Sequence, residues 1–199
     1  MEKFYFEVPS IERKKEAIDY INEFYKYNSE INGTGGLQRY LDNYEGWLKK
    51  LEEDYTRIPN EEKVPTRTFF LIRENDNKII GMINIRLVLN GKLRKHARNI
   101  GYSIRSTERR KGYNKINLYL GLLCCKEHGI KEVLLDCDKS NIASAKTMQA
   151  LGGVLTEEYY DDVYSNSTLQ VYTIDVNKSL EKYKDVYMPY ISTRNYNIK

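Results

Sequence analysis

The residues best suited to chemistry form one run, Arg109-Arg110-Lys111-Gly112-Tyr113-Asn114, followed by Lys115. The run lies where a β-rich stretch ending at Ile104 gives way to a helical pattern starting near Gly112. A helix start leaves its first main-chain N–H groups unpaired and carries partial positive charge, so it attracts anions. Gly112 has no Cβ, which lets the backbone approach a phosphate closely. Cations ahead of a helix start oppose the dipole, so three in a row point to an anion held between them. A pyrophosphate suits that concavity. A nucleotide P-loop would need two glycines bracketing four residues, then Lys and Ser or Thr, and Gly112 has no such partners.

The elements that must position this run follow from hydrophobic periodicity. Phe4 to Val8 reads as a first strand closed by Pro9, and Ser10 as the cap of a helix carrying Ala17, Ile18, Ile21, Phe24 and Tyr25. Asn32-Gly33-Thr34-Gly35-Gly36 breaks that helix, and the stripe from Leu37 through Trp47 to Leu51 predicts a second. Thr68 to Arg73 and Lys78 to Leu89 form a hairpin around Asn75-Asp76-Asn77, and Asn99 to Ile104 adds a strand. A helix bearing Ile116, Tyr119, Leu120, Leu123 and Cys124 ends at His128-Gly129. Val133 to Cys137 is a short strand, Ile142 to Leu151 a helix, and Val154 to Tyr160 with Thr168 to Val176 a closing hairpin. The order predicts an α/β (α+β) fold: a mostly antiparallel sheet, one parallel βαβ crossover and helices on both faces. Residues 1–176 read as one domain and 177–199 as a tail, mobile or docked.

Arg109-x-x-Gly112-x-Asn114 resembles the pyrophosphate motif of the GNAT superfamily of N-acetyltransferases, and the flanks agree. Asn99-Ile100-Gly101-Tyr102-Ser103-Ile104 is similar to the strand before the motif, where a bulge opens the sheet. Asn141-x-x-Ser144, followed by Leu151-Gly152-Gly153, resembles the family's Asn-x-x-Ala helix and its closing glycine. The resemblance spans Thr68 to about Val176 and implies acetyl-CoA as acyl donor, with no metal. It implies main-chain pairing of Ile104 with the pantetheine arm, and pyrophosphate held by N–H groups from Arg109, Arg110, Lys111, Gly112, Tyr113, Asn114 and Lys115. Asn141 would bond the pantetheine or the displaced strand, with Ser144 packed beside it. Asn114 departs from the usual small residue, so its side chain must turn away from the phosphates.

Acetyl transfer needs a neutral amine, a polarised carbonyl and a proton for the thiolate. The places where the resemblance implies a Glu base and a Tyr acid are held by Asn99 and Met148. Asn99 could orient water, and Glu108, Asp138 or Tyr102 could take part. The expected function is transfer of acetyl to an amine, either on a small molecule or on a peptide; a non-catalytic acyl-CoA sensor is the alternative. Asp136 and Asp138 read first as solvated strand-end acids, His128 as a helix-end residue and His96 as a turn residue. The acids of the second helix suggest a cationic acceptor.

Composition restricts the remaining classes. The 199 residues carry 32 basic and 28 acidic side chains, interleaved, which argues against nucleic acid as partner. No apolar run reaches membrane-span length, and the N-terminal stretch has no signal-peptide core, so a cytoplasmic protein with no membrane partner is expected. Cys124, Cys125 and Cys137 lack metal-ligand spacing and read as small apolar side chains. A homodimer is compatible with all of this.

Overall fold

The run Thr66–Arg73 is apolar at successive positions, as a strand covered on both faces must be, and it lies inside a sheet. A computed structural model describes residues 1–91, 98–163 and 165–194. Strands β1 (Phe4–Glu7), β2 (Thr66–Arg73), β3 (Lys78–Arg86) and β4 (Ile100–Ile104) form a sheet in that order, antiparallel throughout. Strands β5 (Glu132–Asp138), β6 (Val154–Asp161) and β7 (Ser167–Asp175) form a second antiparallel sheet with β7 central.

Helices cover both faces of the first sheet. Helices α1 (Lys14–Lys26) and α2 (Tyr44–Tyr55) bury Tyr20, Ile21, Phe24 and Trp47 against Phe70, Ile72, Ile79 and Met82. Helix α3 (Tyr113–Glu127) packs Ile116, Leu118 and Leu120 into the opposite cluster with Phe69, Leu71, Ile80 and Ile83. Helix α4 (Ile142–Gln149) follows β5, and its Ala145 and Met148 join the same core.

Several boundaries differ from the sequence expectation for identifiable reasons. The stripe from Leu37 to Leu51 is two elements, a 3₁₀ turn at Leu37–Arg39 and then α2, because the Asn43 side chain accepts the Gly46 N–H and starts a new helix. Ser10 makes no side-chain cap; a 3₁₀ turn at Ile11–Arg13 leads into α1 instead. Strand β3 ends at Arg86, short of Leu89. The tail is a docked arm as far as Ser192. Helices α5 (Val176–Lys182) and α6 (Lys184–Tyr187) lead to a parallel bridge between Ile191 and Phe4, and the Ser192 N–H donates to the Phe4 carbonyl. The arm therefore covers the outer edge of β1. His96 lies outside the described residues.

The expected crossover from β4 through α3 to β5 is present in chain order but carries no parallel ladder. The strands meet at one place. The Asn99 N–H donates to the Leu134 carbonyl at 2.8 Å, and the Leu134 N–H donates to Asn99 Oδ1 at 2.8 Å. The Asn99 carbonyl turns the other way and accepts the Arg86 N–H at 2.7 Å. Sending its two main-chain groups to opposite neighbours breaks strand alternation at Asn99. The expected bulge within the strand is absent, since β3 and β4 keep unbroken register from Gly81–Ile104 to Ile85–Ile100. Beyond Asn99, β4 is the edge of its sheet, and β5 pairs with β7 alone. Asn99 is 5% exposed, and removing its amide leaves the part-buried Leu134 N–H without a partner. Asn99→Leu is expected to destabilise the fold by about 1–3 kcal/mol in urea denaturation.

Candidate functional site

The open edge of β4 leads directly into the basic turn. Because the Arg105 N–H donates to the Ile80 carbonyl, alternation points the main-chain groups of Tyr102 and Ile104 away from β3, where no strand pairs with them. A 3₁₀ turn at Ser106–Glu108 follows, then Arg109 to Gly112, then α3. Arg110 and Gly112 both hold positive φ, 64° and 84°. This conformation costs a non-glycine residue such as Arg110 roughly 1 kcal/mol or more. The main-chain N–H groups of residues 109–114 have no partner among the described residues, and open space faces Gly112 where a Cβ would stand. The Lys115 N–H is the first to turn inward, to the Gly112 carbonyl at 3.1 Å. Six successive unpaired donors at a helix start form an anion cradle.

Side chains hold the turn from beneath. Glu108, 5% exposed, accepts from Lys111 at 2.7 Å, Lys78 at 2.9 Å and the Arg73 guanidinium at 3.0 and 3.2 Å. Burial acts to raise this carboxyl, but the Lys111, Arg73 and Lys78 donors outweigh it and hold it at about 2. A carboxylate so acidic is a poor proton acceptor at neutral pH, which removes the reason for expecting Glu108 in acid–base chemistry. Glu23 of α1 holds the other side, accepting from Arg105 at 2.9 Å and from the Thr107 N–H at 2.7 Å. The Tyr113 hydroxyl donates to Glu2 at 2.6 Å, and the Asn114 side chain lies along the helix toward Asn117. Arg109 turns back to the Ile104 carbonyl at 3.2 Å and to Ser29. Lys111 is thus neutralised by Glu108. Arg109, Arg110 and Lys115 have no acidic partner among the described residues.

Across the gap, Asn141 caps α4, its Oδ1 accepting the Ser144 N–H at 3.1 Å. Ser144 Oγ and the Tyr102 hydroxyl share a hydrogen bond of 2.8 Å, and burial pushes the Tyr102 phenol up. Tyr102 therefore spans from β4 to the start of α4. Asn99 is committed to main-chain partners, and Met148 is buried in the core.

A cleft of about 460 Å³ opens beside β4 under the loop Ile31–Gly36. Gly33, at φ 68°, sits so close to β4 that a Cβ would lie 2.4 Å from the Gly101 carbonyl oxygen. The Trp47 indole N–H donates to the Gly35 carbonyl at 3.2 Å and pins the loop. Ile100, Gly101, Asn84 and Arg86 line the cleft together with Asp136 of β5. Burial raises the Asp136 carboxyl despite Arg98 and Arg86 nearby. The structure thus departs from the expectation of a solvated acid at Asp136. The available signal was strand alternation: with Val133, Leu135 and Cys137 in the core, Asp136 shares the opposite face with Leu134, beside the join to β4.

An open edge strand running into a turn of unpaired main-chain donors, on antiparallel sheets flanked by helices, defines an α/β protein of the acetyltransferase class. The chain belongs to the acetyltransferase (GNAT) domain family, whose profile matches residues 15–154. The fold is shared with the ribosomal-protein-S5-alanine acetyltransferase of Vibrio fischeri, at 17% identity and TM-score 0.67 over 89% of this chain and 95% of that one. RimJ of Mycobacterium smegmatis, solved with CoA-disulfide, aligns at 12% identity and TM-score 0.67 over 92% of each chain. The microcin C7 self-immunity acetyltransferase MccE, solved with acetyl-CoA and AMP, aligns at 15% identity and TM-score 0.60 over 87% of this chain and 92% of that one. No curated protein matches the chain by sequence. No helix among the described residues is long and apolar enough to cross a membrane, and no group of three or more potential ligands among them could hold a metal ion.

The Glu108 ion pairs have a measurable pH signature. With a folded value of about 2 against an ordinary 4.5, they stabilise the protein fully above about pH 5 and lose that effect as pH falls through 2. Glu108→Gln is expected to lower stability by roughly 2–4 kcal/mol at pH 7 and to flatten the acid limb of a pH-stability curve.

Proposed function

We propose that the protein transfers an acetyl group from acetyl-CoA to an amine seated in the cleft beside β4. The observation that carries this is the unpaired main-chain run 109–114, continuous with the open edge of β4. The donors of the turn suit a pyrophosphate, with Arg110 and Lys115 adding charge, and the outward main chain of Tyr102 and Ile104 suits the amide-bearing pantetheine as an added strand would. Asn141, whose Oδ1 is taken by its cap, has its amide N–H₂ to offer the same arm. Acetyl-CoA supplies the acetyl thioester.

This chain's own residues do the rest. Asp136, at the cleft wall with a raised carboxyl, is the group placed to accept a proton from the amine, directly or through water. The hydrogen-bonded Tyr102–Ser144 pair, which links β4 to the start of α4, offers hydroxyl donors for the departing thiolate. Asn99 takes no proton; it fixes where β4 and β5 part, and so sets Asp136 opposite Gly101. A carboxylate in the acceptor cleft favours this reading over a sensor that only binds acyl-CoA.

Two variants separate binding from transfer. CoA is expected to raise the melting temperature of the wild type and not of Gly112→Glu, which fills the open space at the cradle with a carboxylate. Asp136→Asn is expected to keep the CoA-induced shift while losing about 10²–10⁴ in kcat for acetyl transfer. Unchanged turnover in Asp136→Asn would remove it as the base.

A further inference from the structure

The cleft at Gly101 is one end of a longer hollow. Arg39, Lys50, Asp54, Thr66 and Arg86 line both it and a second space of about 940 Å³ between α2 and the strand ends. The charges along the combined wall are unequal. Six cations line it, Arg39, Lys49, Lys50, Arg57, Lys63 and Arg86, against four acids, Glu53, Asp54, Glu62 and Asp136. Asp54 is already held by Lys50 and, at 2.8 Å, by Arg57. Arg39, Lys49 and Lys63 make no ion pair among the described residues, and Arg39 is exposed. Arg86 stands at the junction of the two spaces. Its guanidinium donates to the Arg98 carbonyl at 3.0 Å, and its burial lowers its affinity for a proton. Burial leaves the Arg86 cation poorly solvated, with Asp136 as the acid acting on it. The acids of α2, expected from sequence to attract a cationic acceptor, are outweighed by the cations around them.

We infer that the acceptor is an amine carrying an anionic group, a carboxylate or phosphate, which lodges against Arg39 and Arg86 while the nitrogen reaches Asp136. Guanidinium groups match both anions in geometry and can bind them through paired N–H donors. The positive wall has a second effect. It disfavours the ammonium form of the bound amine and so assists the deprotonation that transfer requires. A polyamine meets the opposite field, repelled along its length. The inference rests on the acetyl-transfer reading and names the substrate class of that site.

Steady-state acetyl transfer should be compared at low ionic strength for four acceptors: a short peptide with acidic residues after its free N-terminus, the same peptide with those residues made neutral, an aminoalkyl phosphate, and spermidine. CoA affinity is measured by calorimetry alongside. At least one anionic amine is expected to exceed spermidine and the neutral peptide by tenfold or more in kcat/KM, with the advantage shrinking as salt rises. Which of the two anionic amines leads distinguishes a carboxylate from a phosphate anchor. Arg39→Glu should abolish or invert the preference through KM, with CoA affinity unchanged. Faster turnover of spermidine or of the neutral peptide, or a preference untouched by Arg39→Glu, would overturn the inference and leave acetyl transfer standing. CoA binding with no transfer to any amine would overturn both.

Discussion

The structure depends on where β4 and β5 are joined and where they are not. One side chain, Asn99, closes the junction by accepting the Leu134 N–H while its own main chain bonds to both sheets. An amide can do this because it offers an acceptor and a donor on one short stem. From that point the two strands belong to different sheets, and β4 keeps an unpaired edge. An unpaired edge inside a folded protein is costly unless something else satisfies it, which makes it a place for a ligand with main-chain-like polarity.

The turn at 109–114 is the continuation of that edge, and its shape is maintained by ion pairs beneath it. Glu108 draws Lys111, Lys78 and Arg73 below the turn, while Glu23 fixes Arg105 and Thr107 from α1. Arg110 accepts an unfavourable backbone conformation because its neighbours on both sides are fixed. The result is a row of N–H groups without partners among the described residues, with open space at Gly112. The basic residues of the turn divide their work accordingly: Lys111 is structural, Arg109 braces the end of β4, and Arg110 and Lys115 remain to meet negative charge.

Much of this was legible in the sequence. The helix start at Gly112, the strand before it and the helix from Ile142 are local features, set by residues a few positions apart, and the structure places them close to expectation. Other features depend on contacts between distant segments. Glu108 reads from sequence as a candidate acid–base group because its partners Arg73 and Lys78 lie thirty or more residues away. Asp136 reads from sequence as solvated because the groups it meets, Arg86 and Arg98, lie far from it along the chain. The tail looked undecided because its bond is to Phe4 at the other end of the chain. Local patterning specifies elements. It does not specify which charges end up facing one another.

The central claim is that main-chain N–H groups of residues 109–114 grip the cofactor. Amide hydrogen exchange, resolved by residue with and without CoA, tests it most directly. Exchange at Arg110 to Asn114 should slow strongly on adding CoA, with smaller protection at Tyr102 and Ile104. CoA binding that leaves those amides exchanging at their free rate, and protects another segment instead, would contradict it.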